Sequence, residues 1–197
     1  IPIDLHVSPV RFPERPFLHL GGWDYLNSPS ASLLNTPSFT ATLEEKKELA
    51  RYLSDHFVDM SWSTRAAAAF EVNPVTQRRD FTQLDTAIEL WKNAGASRPR
   101  CYAIFLNISS RTSPFDISSA TFNTDVKGWL DELLAHLNDK GIAASQLVLQ
   151  IIDEPYEGRT NIGALEAIHI AWGRAIHAAN SAVRVFLTPQ YSSPAGK

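Results

Sequence analysis

The pattern of apolar and polar positions alternates between short strand-like runs and longer stretches with helical spacing. Strands are predicted at 17–23, 57–62, 101–107 and 183–187, and another within 147–156, ending at the carboxylates Asp153 and Glu154 before Pro155. Helices are predicted between them at 42–55, 80–95, 124–140 and 160–180. Strands that alternate with helices of this length are typical of a parallel sheet with right-handed crossovers. The chain is therefore predicted to be an α/β protein.

Capping and stop signals mark several of the helix boundaries. Thr42 and Glu45 match a capping box, Asp80 is placed to cap the second helix, and Gly141 ends the third. The third helix also carries an apolar stripe, which is the pattern of a helix packed on one face. Its members are Val126, Trp129, Leu130, Leu133, Leu134 and Leu137.

The order and spacing of these elements predict a partial (β/α)₈ TIM barrel of about five βα units over residues 17–197. Eight such units usually need about 250 residues, and only five are recognised in this chain of 197 residues. Strands one and five would then be open edges, and we expect the isolated segment to aggregate or to need the rest of its barrel. A five-unit doubly wound sheet is the structural alternative, although the spaced glycines of a phosphate loop are missing.

Residues 1–16 have a different character. Ile3, Leu5 and Val7 alternate with polar neighbours, as in a half-buried strand, and a proline-spaced connector follows at Pro9, Pro13 and Pro16. We interpret this stretch as the end of an N-terminal β-rich domain and its linker.

Composition limits the classes of partner. A net charge of −3 gives no electrostatic argument for binding nucleic acid or an anionic membrane. No apolar run approaches the roughly 20 residues that cross a bilayer. Cys101 is the single cysteine, so there is no disulfide framework and the redox compartment stays undecided.

The sequence LVLQIIDEPY at 147–156 is the most informative stretch, because a buried strand ends on two adjacent carboxylates. Pro155 cannot donate to a continuing ladder, and catalytic groups of α/β folds gather at the carboxyl ends of strands. Asp153 and Glu154 are therefore predicted to be catalytic. The alternative is that they mark a helix N-terminus, but 156–159 is loop-like and Thr160 is a better cap.

Strand alternation predicts which way these carboxylates point. Val148, Gln150, Ile152 and Glu154 would share one face, and Gln150 suits a barrel interior better than a face covered by helices. Glu154 is then expected to point inward. Asp153 would point outward unless a turn at the strand end swings it around.

The other strand ends add aromatic and hydrogen-bonding groups, which suit the apolar faces and hydroxyl rim of a sugar. The candidate substrate-binding residues are Trp23, Asp24, Trp62, Asn107, Tyr156 and Tyr191. For Trp23 and Trp62 the alternative is packing, and for Asn107 it is a turn. We expect only packing from the tryptophans on helix faces, Trp91, Trp129 and Trp172.

No metal or cofactor is expected. The histidines lack metal-site spacing, since His169 and His177 are eight positions apart on one helix and His136 lies on another. No GxSxG elbow occurs either, so a serine nucleophile has no support. His19 is either a satisfied core histidine or a substrate ligand.

A long apolar strand ending in Asp153-Glu154-Pro155, after three βα units and a β-type segment ending in prolines, resembles glycoside hydrolase family 123. The family 20 hexosaminidases also use a paired Asp and Glu. The resemblance implies a β-sandwich followed by a (β/α)₈ barrel, a β-linked N-acetylhexosamine as substrate, and a secreted or periplasmic location. It also implies that Glu154 is the general acid and that Asp153 orients the 2-acetamido group. The acetamido oxygen then replaces an enzyme nucleophile.

Two other functions remain open from the residues alone. A conventional retaining glycosidase would use Glu154 as acid/base and a nucleophile on a later strand, although such enzymes usually have asparagine at the position of Asp153. A non-catalytic carbohydrate-binding barrel would use the carboxylates only to satisfy nearby groups. The retaining enzyme would not require the 2-acetamido group, and the binding protein would not hydrolyse its ligand.

Overall fold

A computed structural model of the chain describes residues 20–21, 26, 42–63, 65–92, 103–108, 115–152 and 162–187. Within these ranges the strands are β1 (Leu20–Gly21), β2 (Val58–Ser63), β3 (Ala103–Asn107), β4 (Leu147–Gln150) and β5 (Arg184–Phe186). The α-helices are α1 (Leu43–Asp55), α2 (Thr82–Lys92), α3 (Phe122–Asp139) and α4 (Ile162–Ala179). The strand–helix alternation predicted from the sequence is confirmed.

The described strands form one parallel sheet in the order β1-β2-β3-β4-β5, and the sheet is curled like half of a barrel. Each strand pairs with the next one along the chain, so the order never reverses. A doubly wound sheet requires such a reversal, and that alternative is wrong. Right-handed crossovers in one constant direction place their helices on the same face of the sheet.

The main hydrophobic core lies between that face and the helices. Strand residues Leu106, Leu147 and Leu149 are fully buried there, together with Trp129 of α3 and Trp172 of α4. A smaller cluster joins α1 and α2 through Ala50, Leu90 and Trp91. The tryptophans on helix faces are packing residues, as predicted.

Local signals set the helix ends as the sequence predicts. The Thr42 side chain accepts from the Glu45 backbone N–H, and the Glu45 carboxylate accepts from the Thr42 backbone N–H at 2.6 Å. Asp80 Oδ1 accepts from the backbone N–H of Thr82 at the start of α2. Gly141 follows α3 with a φ of +78°, a left-handed conformation that glycine adopts without strain.

The fourth strand differs from the prediction. A strand was expected from Leu147 to the carboxylates at 153 and 154, but the ladder of β4 ends at Gln150, and Ile151 and Ile152 form a bend. Ile152 was expected to share the face of Gln150. Instead, Ile151 and Ile152 both belong to the main core cluster, so strand alternation stops before residue 153.

Among the described residues, no helix has the length and apolar character that a membrane crossing requires.

Candidate functional site

The face of the sheet opposite the helices carries the candidate site, and we call it the inner face. Side chains alternate along a strand, so residues between the core-facing Leu106, Leu147 and Leu149 point the other way. Following the strand register, the described inner-face side chains are Met60, Trp62, Asn107, Val148, Gln150, Arg184 and Phe186.

A row of three side chains crosses the inner face near the carboxyl ends of β3, β4 and β5. Asn107 pairs in register with Gln150, and Gln150 pairs with Phe186. Register partners on adjacent parallel strands lie about 4.8 Å apart with their side chains on the same face. Two primary amides and an aromatic ring are therefore neighbours, and we call these residues the 107–150–186 row.

Burial differs along the 107–150–186 row. Gln150 is 0% exposed although it is polar, Asn107 is half-buried, and Phe186 is 39% exposed. The Gln150 backbone oxygen accepts from the Ile108 N–H at 3.0 Å, which holds the ends of β3 and β4 together. The row thus combines a covered amide with a partly open amide and an open aromatic ring.

Trp62 lies one step below this row, because it pairs in register with residue 105 rather than with Asn107. Its side chain is only 5% exposed. Arg184, in register with Val148, brings a positive charge to the same level of the inner face. The described part of the inner face is therefore mixed in character, with apolar, amide and cationic groups.

Aromatic packing joins the described segments that follow β2 and that precede α3. Phe70, after β2, packs on Trp129 with ring centroids 4.7 Å apart and ring planes tilted by 32°, and it meets Phe115, before α3, edge to face at 5.6 Å. Trp172 of α4 packs against both phenylalanines. Loops at the carboxyl ends of parallel strands carry the active sites of such folds, and here two of them are anchored on a common aromatic cluster.

Two carboxylates in these loops are committed to turns. Backbone and side-chain hydrogen bonds from Ser118 lower the pKa of Asp116, and bonds from Thr82 lower the pKa of Asp80. A proton donor at neutral pH needs a raised pKa, so neither residue suits general acid catalysis. The described ranges contain no cluster of three or more possible metal ligands.

The structure describes two of the residues predicted from the sequence, Trp62 and Asn107, and places both on the inner face. The other predicted site residues and His19 lie outside the described residues. These are Trp23, Asp24, Asp153, Glu154, Tyr156 and Tyr191. The prediction that Glu154 points inward assumed that strand alternation continues to residue 154, and the bend at Ile151 and Ile152 removes that premise.

Gln150, Arg184 and Phe186 were not among the site residues predicted from the sequence. A signal was present for two of them, since Gln150 interrupts the apolar run LVLQII and Arg184 interrupts the run VRVFL. Polar residues that interrupt an apolar strand indicate that the inner face requires polar groups. Phe186 carried no signal, because an aromatic residue in a strand is ordinary.

In a search of models of known protein families, none matched this chain, and a search of curated proteins found no match either.

Proposed function

We propose that this chain is part of the catalytic domain of a β-N-acetylhexosaminidase-like glycoside hydrolase. In this proposal the curled sheet is the first half of a (β/α)₈ TIM barrel, and 1–16 ends a preceding β-rich domain. The observation that carries it is the 107–150–186 row on the inner face, at the carboxyl end of the strand that leads in sequence to Asp153 and Glu154. Amides and aromatic rings are the groups that bind sugars.

In the proposed reaction Glu154 donates a proton to the glycosidic oxygen as the bond to the anomeric carbon breaks. The carbonyl oxygen of the substrate's 2-acetamido group attacks the anomeric carbon from the opposite face and forms a cyclic oxazolinium intermediate. Asp153 accepts from the acetamido N–H and orients the group for attack. Water then opens the ring and gives its proton to Glu154, which restores the acid and retains the anomeric configuration.

The bend at Ile151 and Ile152 supports the use of both adjacent carboxylates. On a continuing strand, neighbours at 153 and 154 would point to opposite faces. Because the ladder ends at Gln150, that constraint is lifted before residue 153. A ladder that ends at Gln150 therefore does not force residues 153 and 154 onto opposite faces.

The test uses the full-length protein and p-nitrophenyl N-acetyl-β-hexosaminides, compared with p-nitrophenyl β-glucoside. Hydrolysis is expected only with the 2-acetamido group. Glu154→Gln should lower kcat/KM by about 10²- to 10⁴-fold, the usual size of a general-acid contribution. The loss should be much smaller with a dinitrophenyl leaving group, which needs no protonation.

Asp153→Asn should lower activity with both leaving groups, because it acts on the acetamido group rather than on the leaving oxygen. Glu157→Gln is the matched control, three positions further on, and should stay near wild type. Equal hydrolysis of the glucoside would favour a conventional retaining enzyme. Sugar binding without any hydrolysis by the wild-type protein would favour a carbohydrate-binding barrel.

A further inference from the structure

We propose that the 107–150–186 row is a monosaccharide subsite of this inner face. Asn107 hydrogen-bonds ring hydroxyls, Phe186 contacts the apolar face of the sugar, and Gln150 is a positioning residue that holds the Asn107 amide. The inference rests on the proposed function, because it takes the substrate to be a sugar. It adds a binding site made only of residues within 103–187.

A glutamine at position 150 carries a free-energy cost, because its amide is buried. An amide that is 0% exposed has lost its contact with water, and such a group is stable only when the protein replaces those hydrogen bonds. Its strand neighbours are apolar, and Val148, two positions earlier on the same face, shows that an apolar side chain fits there. Polar residues that break a local pattern in this way are concentrated at functional sites.

The strand register places Asn107 beside Gln150. Asn107 and Gln150 are direct partners on adjacent parallel strands, so their side chains start about 4.8 Å apart on one face. A primary amide both donates and accepts, which allows one amide to orient the other. Gln150 is buried and Asn107 is half-buried. Gln150 can therefore hold the Asn107 amide in place, and Asn107 can contact a ligand.

The other end of the row carries an aromatic ring. Phe186 is the register partner of Gln150 and keeps 39% of its surface exposed. A pyranose presents an apolar face beside a rim of hydroxyls, so an aromatic ring and an amide on the same face complement it. A purely apolar ligand would not need the amides, and a charged one would not need the ring.

The experiment measures binding of free N-acetylgalactosamine, N-acetylglucosamine and glucose to the full-length protein, alongside KM and kcat for the p-nitrophenyl hexosaminides. Asn107→Ala and Phe186→Ala should each raise Kd and KM by about three- to tenfold, the size of one neutral hydrogen bond or ring contact. Tyr52→Ala, which removes an exposed aromatic ring of α1 outside the inner face, is the matched control and should leave both constants unchanged.

Gln150→Met separates positioning from simple structure, because methionine keeps the unbranched shape and removes the amide. The positioning role predicts that KM rises as much as in Asn107→Ala while kcat changes little. The KM of the double variant, Asn107→Ala with Gln150→Met, should then be no higher than the KM of either single variant. An unchanged KM in a folded Gln150→Met protein, or additive effects in the double variant, would overturn the role of Gln150.

A measurement without variants covers the case in which they fail to fold. Added N-acetylgalactosamine should shift the side-chain amide resonances of Asn107 in the wild-type protein.

The two proposals fail separately. If Glu154→Gln abolishes hydrolysis while the row variants bind and turn over normally, the subsite is wrong and the proposed function stands. If wild type binds the sugar through the row but hydrolyses nothing, the subsite stands and the proposed function is wrong. If no sugar binds, the subsite is wrong.

Discussion

The indole Nε1 of Trp129 donates a buried 2.7 Å hydrogen bond to the carbonyl oxygen of Ala68, 61 residues earlier in the chain. The bond joins α3 to the 3₁₀ turn at Arg65–Ala68, which follows β2 directly. The Trp129 ring also packs against Phe70 in the aromatic cluster. One side chain thus fixes the loop after β2 by both polar and apolar contacts.

Trp129→Phe is expected to lower the free energy of unfolding by about 1–3 kcal/mol, because it leaves the Ala68 oxygen buried without its donor. Trp172→Phe is the matched control. Trp172 lies in the same cluster and is 0% exposed, but its Nε1 has no hydrogen-bond acceptor among the described residues. Urea unfolding of both variants gives the comparison. An equal loss of stability in the two variants would show that the lost ring volume, and not the lost hydrogen bond, causes the destabilisation.

A second prediction concerns Asp85, His136 and Lys140, which join α2 to the C-terminal end of α3 and which we call the clasp. His136 Nε2 donates to Asp85 Oδ1 at 2.7 Å, and Lys140 Nζ lies 3.1 Å from the same oxygen. Burial acts to raise the pKa of Asp85, but the hydrogen bonds and charges of His136 and Lys140 outweigh it and lower the pKa. The clasp therefore stabilises the fold above the ordinary aspartate pKa of about 3.9, and this contribution is lost as pH falls through the lowered value.

Asp85→Asn should reduce stability at neutral pH by less than about 1 kcal/mol, since the pair is partly exposed. Its difference from wild type should shrink as pH falls below about 4. Asp131→Asn removes an exposed pair with Lys127 within α3 and serves as the control. Thermal melts across the pH range measure both. A difference that grows toward acid would contradict the sign derived from the lowered pKa.

Glycines at two positions should respond in opposite directions to alanine. A Cβ at Gly21 would meet the Met60 Cβ at 2.7 Å, closer than such atoms approach, so Gly21→Ala should loosen the pairing of β1 with β2. A Cβ at Gly128 within α3 meets nothing within 4 Å, so Gly128→Ala should stabilise the protein by about 0.5–1 kcal/mol through helix propensity. Hydrogen exchange at β1 and β2 and the melting temperature test the pair. Stabilisation by Gly21→Ala would refute the close approach.

The capping box of α1 gives a fourth prediction. Thr42→Ala removes the oxygen that accepts from the Glu45 N–H and should cost about 1 kcal/mol. Glu45→Gln retains a side chain able to accept from the Thr42 N–H and should cost much less. Helix content and unfolding free energy distinguish them. Equal losses from the two changes would mean that charge, rather than the cap geometry, holds this end.

Helix and strand positions were predictable because amphipathic periodicity is local. The stripe ending at Leu137 and the stop at Gly141 are visible in the sequence and appear in the structure. The early end of β4 was not predictable, because the apolar run looks the same whether Ile152 continues a ladder or turns into the core. The 107–150–186 row depends on the register between strands far apart in sequence, which no local pattern encodes.

The uninterrupted strand order has a consequence for how the chain acquires its structure. Each new strand adds to the edge left by the one before it, so no strand has to be inserted between two that are already paired. Strand pairing then joins units adjacent in sequence, so each pairing closes a loop of one βα unit rather than of several. A ribosome releasing this chain from its N-terminus would deliver the strands in the order in which the sheet grows.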